Sequence, residues 1–436
     1  MATGTLKSTR TSVDTYPETA GAAVAPSHSL STMRGVALYV GALLGPGLLL
    51  LPGLAAGIAG PASVLAWAGL LLVSGLFALV FTALGTRLPG GGGVIAYAAA
   101  GLGVRAGRAV GWSFLTAVVL GAPVVCMIGA GYVTALTGGG RMMTALVAAV
   151  LLACVTALTL AGARIGTAVQ LMLVGLLLAV IVTAVAGSLP AARAAHWTPF
   201  APHGWTAIGG AASVLMLSFV GWEAAAPLTT RFADPARQLP RVIGIALAVT
   251  SVLYLGLAVA TIGVLGSGGA NGAPLAALLR DATGPAGTAV AAVAAVLLTL
   301  GAVNAYVSGA AEMTRELIRR GPADPGAGPA RPAPRFLAVV AVSGLAMIAL
   351  YGLGLASPAA LVALPTTLFL VVYLGCMASA VRVLRGPARL AAAPATVIVA
   401  LVLGYCGWAL LVPALVALAV LAWPARSCER RATRAA

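Results

Sequence analysis

The chain has 436 residues, of which 61% are hydrophobic and only 8% charged. Soluble proteins carry about 25% charged residues, and no single core absorbs that deficit here, because apolar runs of about twenty residues recur along the whole length, each enough to cross a bilayer. The net charge of +16 does not signal nucleic acid: Lys7 is the only lysine, and the arginines are spread between apolar runs with no dense patch interleaved with aromatics.

Residues 1–32 are rich in Ser, Thr, Ala and Pro and read as a disordered cytoplasmic tail. The first apolar run starts too late and runs too long for a cleaved leader. From there the composition predicts twelve spans: 34–58, 62–86, 108–136, 142–161, 166–188, 206–230, 240–265, 284–314, 336–354, 358–381, 391–407 and 409–424. The last two share one apolar stretch, divided at Gly407 because a single straight helix of that length overshoots the bilayer. Residues 425–436 form a basic tail. With this count, twenty-two of the 25 basic residues fall on one side, leaving only Arg141, Arg193 and Arg280 opposite. The positive-inside rule then makes that side cytoplasmic, with both termini there; the expected location is the plasma (inner) membrane.

Two connections differ from the rest. The one between spans two and three is long, glycine-rich and weakly apolar, while that between spans eight and nine, "GPADPGAGPARPAP", is a tether. The five cysteines show no CxxC spacing, so neither a disulfide framework nor a metal site is expected.

Polarity enters the apolar runs at two places. "GALLGPGLLLLPG" carries Gly45, Pro46 and Gly47 at mid-span. Proline removes one N–H and clashes with the preceding turn, and the flanking glycines add no stiffness, so the helix should unwind locally. Freed backbone groups are tolerated within lipid only where they line a cavity or bind something. Close helix packing through small residues is the competing reading of this stretch. The sixth span, "AASVLMLSFVGWEAAAPLTTRF", carries Ser218, Gly221, Glu223 and Pro227. A carboxylate at that depth costs several kcal/mol unless paired or protonated. Breaks in spans one and six, which enter from opposite sides, are what two inverted five-helix repeats require. The expected fold is therefore an all-α polytopic membrane protein with twelve transmembrane helices in a LeuT-like 5+5 inverted repeat (about 34–188 and 206–381), with helices 1 and 6 broken and two helices appended at 391–424.

These motifs resemble the amino acid–polyamine–organocation superfamily of amino acid permeases. The residues that carry the resemblance are "GPGLLLLPG", "FVGWE" (Phe219 to Glu223) followed by "FADPARQLPRVIGIA", and the loop "LPGGGGVIAYAAAGLGVRAGRAVGW". The compact length and short last spans look most like the subgroup that exports methionine and branched-chain amino acids. The resemblance implies a secondary transporter of neutral, zwitterionic amino acids. The substrate carboxylate would meet N–H groups of Gly45, Gly47 and Leu48, and its ammonium the carbonyls near Gly41, Ala42, Ser218 and Phe219. Phe219 would gate the site, Trp222 would help to line it, and Gly221 belongs to the same break. Small residues of spans three and eight would form the apolar walls, with Gly129 and Asn304 as further candidates; Asn304 and Tyr306 serve equally well as packing groups between helices.

One departure concerns coupling. Proton-coupled relatives use a lysine in span five, and "TAVQLMLVGLLLAV" has none. A proton would then be carried by Glu223 or Glu312, in preference to a sodium ion held by carbonyls and Ser308; Glu312 beside Arg315 also reads as a salt-bridged helix end. No cofactor or metal is expected. A membrane-embedded transferase needs clustered His, Asp or Glu, whereas His28, His196 and His203 are scattered. Import or exchange of another amino acid or organic amine is the alternative within transport.

Overall fold

The computed structural model describes residues 30–88, 93–162, 166–225, 232–268, 272–318 and 334–422. Most of the N-terminal tail, the tether after span eight, Pro227 and the basic C-terminal tail therefore lie outside the described residues, as does the side chain of Glu312. Among the described residues the regular structure is helical, apart from an isolated parallel bridge between Leu30 and Phe232.

The first apolar run is divided into α1 (Thr32–Leu43), a 3-10 turn (Pro46–Leu49) and α2 (Leu51–Ala59). Ser31 starts α1 by accepting the Arg34 N–H, a side-chain N-cap. Gly60, with φ +61°, and Pro61 then turn the chain into α3 (Ser63–Arg87). There follow α4 (Gly93–Leu102), α5 (Val104–Thr137), α6 (Arg141–Leu160) and α7 (Thr167–Ser188). The second half opens with α8 (Ala207–Leu215), a 3-10 turn (Met216–Phe219) and α9 (Trp222–Ala225). After it come α10 (Pro235–Ala260), α11 (Pro274–Thr283), α12 (Pro285–Ile318), α13 (Pro334–Gly352) and α14 (Pro358–Val383). α15 (Pro387–Gly404) and α16 (Leu411–Ala422) close the chain, separated by a turn in which Gly407 has φ +54°. That turn divides the last apolar stretch into two helices.

Among the described residues, nine helical stretches are long and apolar enough to cross a membrane. Leu51–Arg87 is counted among them as one stretch of 37 residues, although the corner at Gly60 and Pro61 separates α2 from α3. Broken α1–α2 and α8–α9 and the short α16 fall below that length as single helices. The apolar surface is arranged in stripes: on α3, Leu65, Leu72 and Leu79 are exposed, one every two turns. Large exposed apolar area of this kind marks a surface made for an apolar neighbour.

The two 34-residue helices α5 and α12 form the centre, and α14 packs along α5. Gly129 shows how closely the central pair approaches, since a Cβ there would lie 2.4 Å from Thr299 Oγ1. Two short helices occupy connections that hydropathy leaves as loops. α4 lies against α5 and α14; Ser379 Oγ donates to Tyr97 O at 2.5 Å, and a Cβ on Gly101 would sit 2.6 Å from Ser379 O. Glycine in that loop thus allows close packing, which is why a weakly apolar segment is held as helix. α11 packs on α7 and α12.

Candidate functional site

The two breaks lie side by side. At the end of α1, the Gly45 N–H turns to Leu43 O at 2.8 Å, and Pro46 has no N–H. The carbonyls of Gly41 and Ala42 therefore lose their i+4 donors. The following 3-10 turn closes on itself, with the Leu48 N–H donating to Gly45 O at 3.2 Å and the Leu50 N–H to Gly47 O at 3.1 Å. Leu48 thus spends its N–H locally, and the Gly47 N–H stands at the open start of the turn.

The second break touches the first directly. Gly221 has φ +148°, and a Cβ there would be 2.2 Å from Ala42 O. Only glycine allows this backbone and this approach together. The Gly221 N–H donates to Glu223 Oε2 at 2.9 Å and lies 3.2 Å from Tyr373 Oη. The Tyr373 hydroxyl is 2.5 Å from Glu223 Oε2 and 3.2 Å from Phe219 O. Glu223 is buried, and its Oε1 has no hydrogen-bond partner among the described residues. The same holds for Ser218 Oγ.

Beside Gly45, Pro46 and Gly47 is a cavity of ≈ 70 Å³. One water needs about 10–15 Å³, so the space suits a group the size of an amino-acid side chain. Its walls are Ala117, Val118, Gly121, Ala122 and Val125, on one face of α5 around Pro123. Opposite stand Leu217 and Val220 of the second break, Ala302, Val303 and Tyr306 of α12, and Phe369 of α14. Among the described residues of that lining, Tyr306 is the one with a polar side-chain group; the other polar atoms are backbone. Such a cavity accepts an apolar group and offers no counter-charge to an ionised one.

Of the residues singled out from sequence, Gly45, Pro46, Gly47 and Tyr306 line this cavity. Gly41, Ala42, Leu48, Ser218, Phe219 and Gly221 belong to the two breaks but are not part of its wall. Gly41 packs on Val174 of α7. Phe219 is buried between Trp67 and Tyr254, with ring centroids 5.9 and 5.4 Å away. Trp222 points away from the cavity: its Nε1–H donates to Ser74 Oγ on α3 at 2.8 Å, and its ring meets Tyr39 edge-on. Asn304 ties α12 to α6, its Nδ2 donating to Thr159 Oγ1 at 3.3 Å. The backbone of Glu312 is in the last turns of α12.

Three tyrosines complete the site, and sequence reading does not reach their roles. Tyr254 Oη of α10 lies 2.7 Å from Leu43 O and 2.8 Å from Ser218 O, bridging the breaks. Tyr373 of α14 serves the second break, as above. Tyr132 of α5 donates to Leu49 O at 2.6 Å and accepts the Leu275 N–H of α11 at 3.2 Å. A phenol buried in an apolar span needs a partner, and that need was the available signal. Among the described residues no group of three or more His, Cys, Asp or Glu is placed to hold a metal ion.

Residues 30–427 match the sequence profile of a family described as amino acid permease. The chain is 32% identical over 400 residues to the uncharacterized amino acid permease YecA of Bacillus subtilis, covering 90% of this chain and 94% of the relative. It is 29% identical over 404 residues to the L-methionine/branched-chain amino acid exporter YjeH of Escherichia coli, with the same two coverages. The branched-chain amino acid permease BcaP of Bacillus subtilis is 26% identical over 246 residues, 52% of this chain and 53% of that one.

Proposed function

The chain belongs to the amino acid permease family, a multi-pass membrane transporter and not an enzyme, and from that premise we propose that it exports apolar amino acids, methionine, leucine, isoleucine and valine, by alternating access. The observation that carries this reading is the cavity itself. Its walls are aliphatic and aromatic, and its polar edge is the unwound Gly45-Pro46-Gly47 backbone. The second half of the broken helix, α2, directs its positive dipole end toward that edge, which favours a carboxylate there. With the Leu48 N–H engaged at Gly45 O and the Gly45 N–H at Leu43 O, Gly47 is the donor best placed to meet it. The ammonium belongs at the opposite carbonyl ends, those of α1 and of the 3-10 turn before Val220. Similarity along nearly its whole length to a protein named as a methionine and branched-chain amino acid exporter in Escherichia coli supports this choice of substrate class and direction.

In this reading the chain crosses the inner membrane twelve times, with both termini cytoplasmic. α1–α2 and α8–α9 are the broken first and sixth spans, α3, α5, α6 and α7 spans two to five, and α10, α12, α13 and α14 spans seven to ten. α15 and α16 follow the two inverted repeats. Transport is coupled to protons through Glu223, the one carboxylate buried at the breaks, rather than to sodium.

Overexpression in a host fed methionine- or leucine-containing dipeptides should lower the internal amino acid pool and raise resistance to the peptide. Unchanged pools in the presence of correctly inserted protein would exclude export.

A further inference from the structure

The two half-helix ends at the site bring like poles together. α1 runs toward Leu43, and α8 with its 3-10 turn toward Phe219, so both present carbonyl oxygens and the negative end of the helix dipole to the same small volume. Leu43 O and Ser218 O meet at one atom, Tyr254 Oη, at 2.7 and 2.8 Å. Leu43 O also receives the Gly45 N–H; for Ser218 O, Tyr254 is the donor. The tyrosine is 1% exposed. Its ring is fixed edge-on between Trp67 at 5.2 Å and Phe219 at 5.4 Å, so packing sets the place of the hydroxyl.

We propose that Tyr254 is a positioning residue whose hydroxyl keeps the two carbonyl ends together when the carrier reorients without cargo and no substrate ammonium joins them, making this protein a net transporter and not an obligate exchanger. The proposal rests on the transport reading above. Joining two carbonyl ends in an apolar surround is unfavourable unless a donor stands between them. A bound amino acid brings three N–H donors and a full positive charge to those ends. The tyrosine brings one O–H, neutral and already buried. That is a weaker tie than an ammonium, but it consists of the protein's own atoms and is present in every cycle. The loaded carrier can close on its cargo's ammonium; the unloaded one depends on Tyr254.

The test compares two fluxes of radiolabelled L-methionine in proteoliposomes holding purified protein. Exchange is measured with methionine on both sides, and net efflux into medium free of amino acid. Tyr254→Phe removes a single oxygen and keeps the ring packing. The ratio of net efflux to exchange should fall about tenfold or more, the scale expected when a buried acceptor loses its donor, whatever the absolute exchange rate of the variant. A parallel fall in both fluxes, or no change in either, overturns the proposal. The wild type also answers alone, should the variant fail to fold: net efflux comparable to exchange is expected, and flux seen only with amino acid on both sides overturns it. Wild-type protein that moves no amino acid in either format removes the transport reading itself, and with it this proposal.

Discussion

Replacing Gly221 by alanine is the sharpest single perturbation of the site. The new Cβ would stand 2.2 Å from Ala42 O and 2.8 Å from the Ala42 carbonyl carbon, and the backbone at φ +148° disfavours any L side chain. A backbone held in a region reserved for glycine costs about 1–3 kcal/mol. Forcing a methyl into a closed contact costs about 1–3 kcal/mol more. The neighbour here is backbone of the other broken helix and cannot rotate away. Taking about 4 kcal/mol in total, and ~1.4 kcal/mol per factor of ten, the conformation with both breaks in contact loses close to a thousandfold in population. Methionine efflux should therefore fall to background while the protein still inserts. Gly69→Ala is the matched control. It lies on α3, with nothing within 4 Å of the new methyl, and should transport like wild type. The assay is radiolabelled efflux normalised to monodisperse protein. Wild-type flux through Gly221→Ala would refute the claim that the two breaks must meet.

Other outcomes test neighbouring parts of the account. Gly47→Leu fills the cavity at its polar edge, where even a Cβ comes within 3.0 Å of Leu51 Cδ1 and 3.6 Å of Ser218 Oγ; transport should be lost with insertion intact, as read by flux and by membrane yield. Glu223→Gln still offers an oxygen to the Gly221 N–H but carries no titratable proton, so an imposed pH gradient should drive flux in the wild type and leave the variant unaffected; a wild type indifferent to the gradient ends the proton role. Phe369→Ala removes an aromatic wall of the cavity, and phenylalanine should then compete with methionine for transport, whereas an unchanged competition profile would show that Phe369 does not bound the side-chain pocket.

The sequence made the breaks legible because their causes are local. Pro46 cannot donate, and Gly45, Gly47 and Gly221 add no side chain, so the unwinding follows from four residues and needs no knowledge of neighbours. The apolar walls from spans three and eight were an implication of the family resemblance, not something that local composition dictates. The donors that organise the breaks were not legible. Tyr254 meets partners 36 and 211 positions away, and Tyr132 meets one 83 away, so no spacing in the chain announces them. Trp222, which the family resemblance implied as a lining residue, is placed otherwise: after the turn at Gly221 its indole emerges toward Ser74 on α3 and is not part of the cavity wall. Leu48 shows the limit of counting freed N–H groups, because a 3-10 turn satisfies at Gly45 O what an interrupted α-helix would leave open. α4 and α11 escaped because hydropathy seeks long runs, although Pro274 at the first turn of α11 and Gly284 after its last are ordinary helix boundaries.

The central claim, that the cavity beside Gly45-Pro46-Gly47 carries apolar amino acids, is tested most directly by counterflow of radiolabelled L-methionine into proteoliposomes preloaded with unlabelled amino acid. Saturable uptake is predicted when leucine, isoleucine, valine or methionine is inside, and none when arginine or glutamate is, because the cavity offers no counter-charge to either. Uptake that ignores the preloaded side chain, or that arginine supports as well as leucine does, would contradict it.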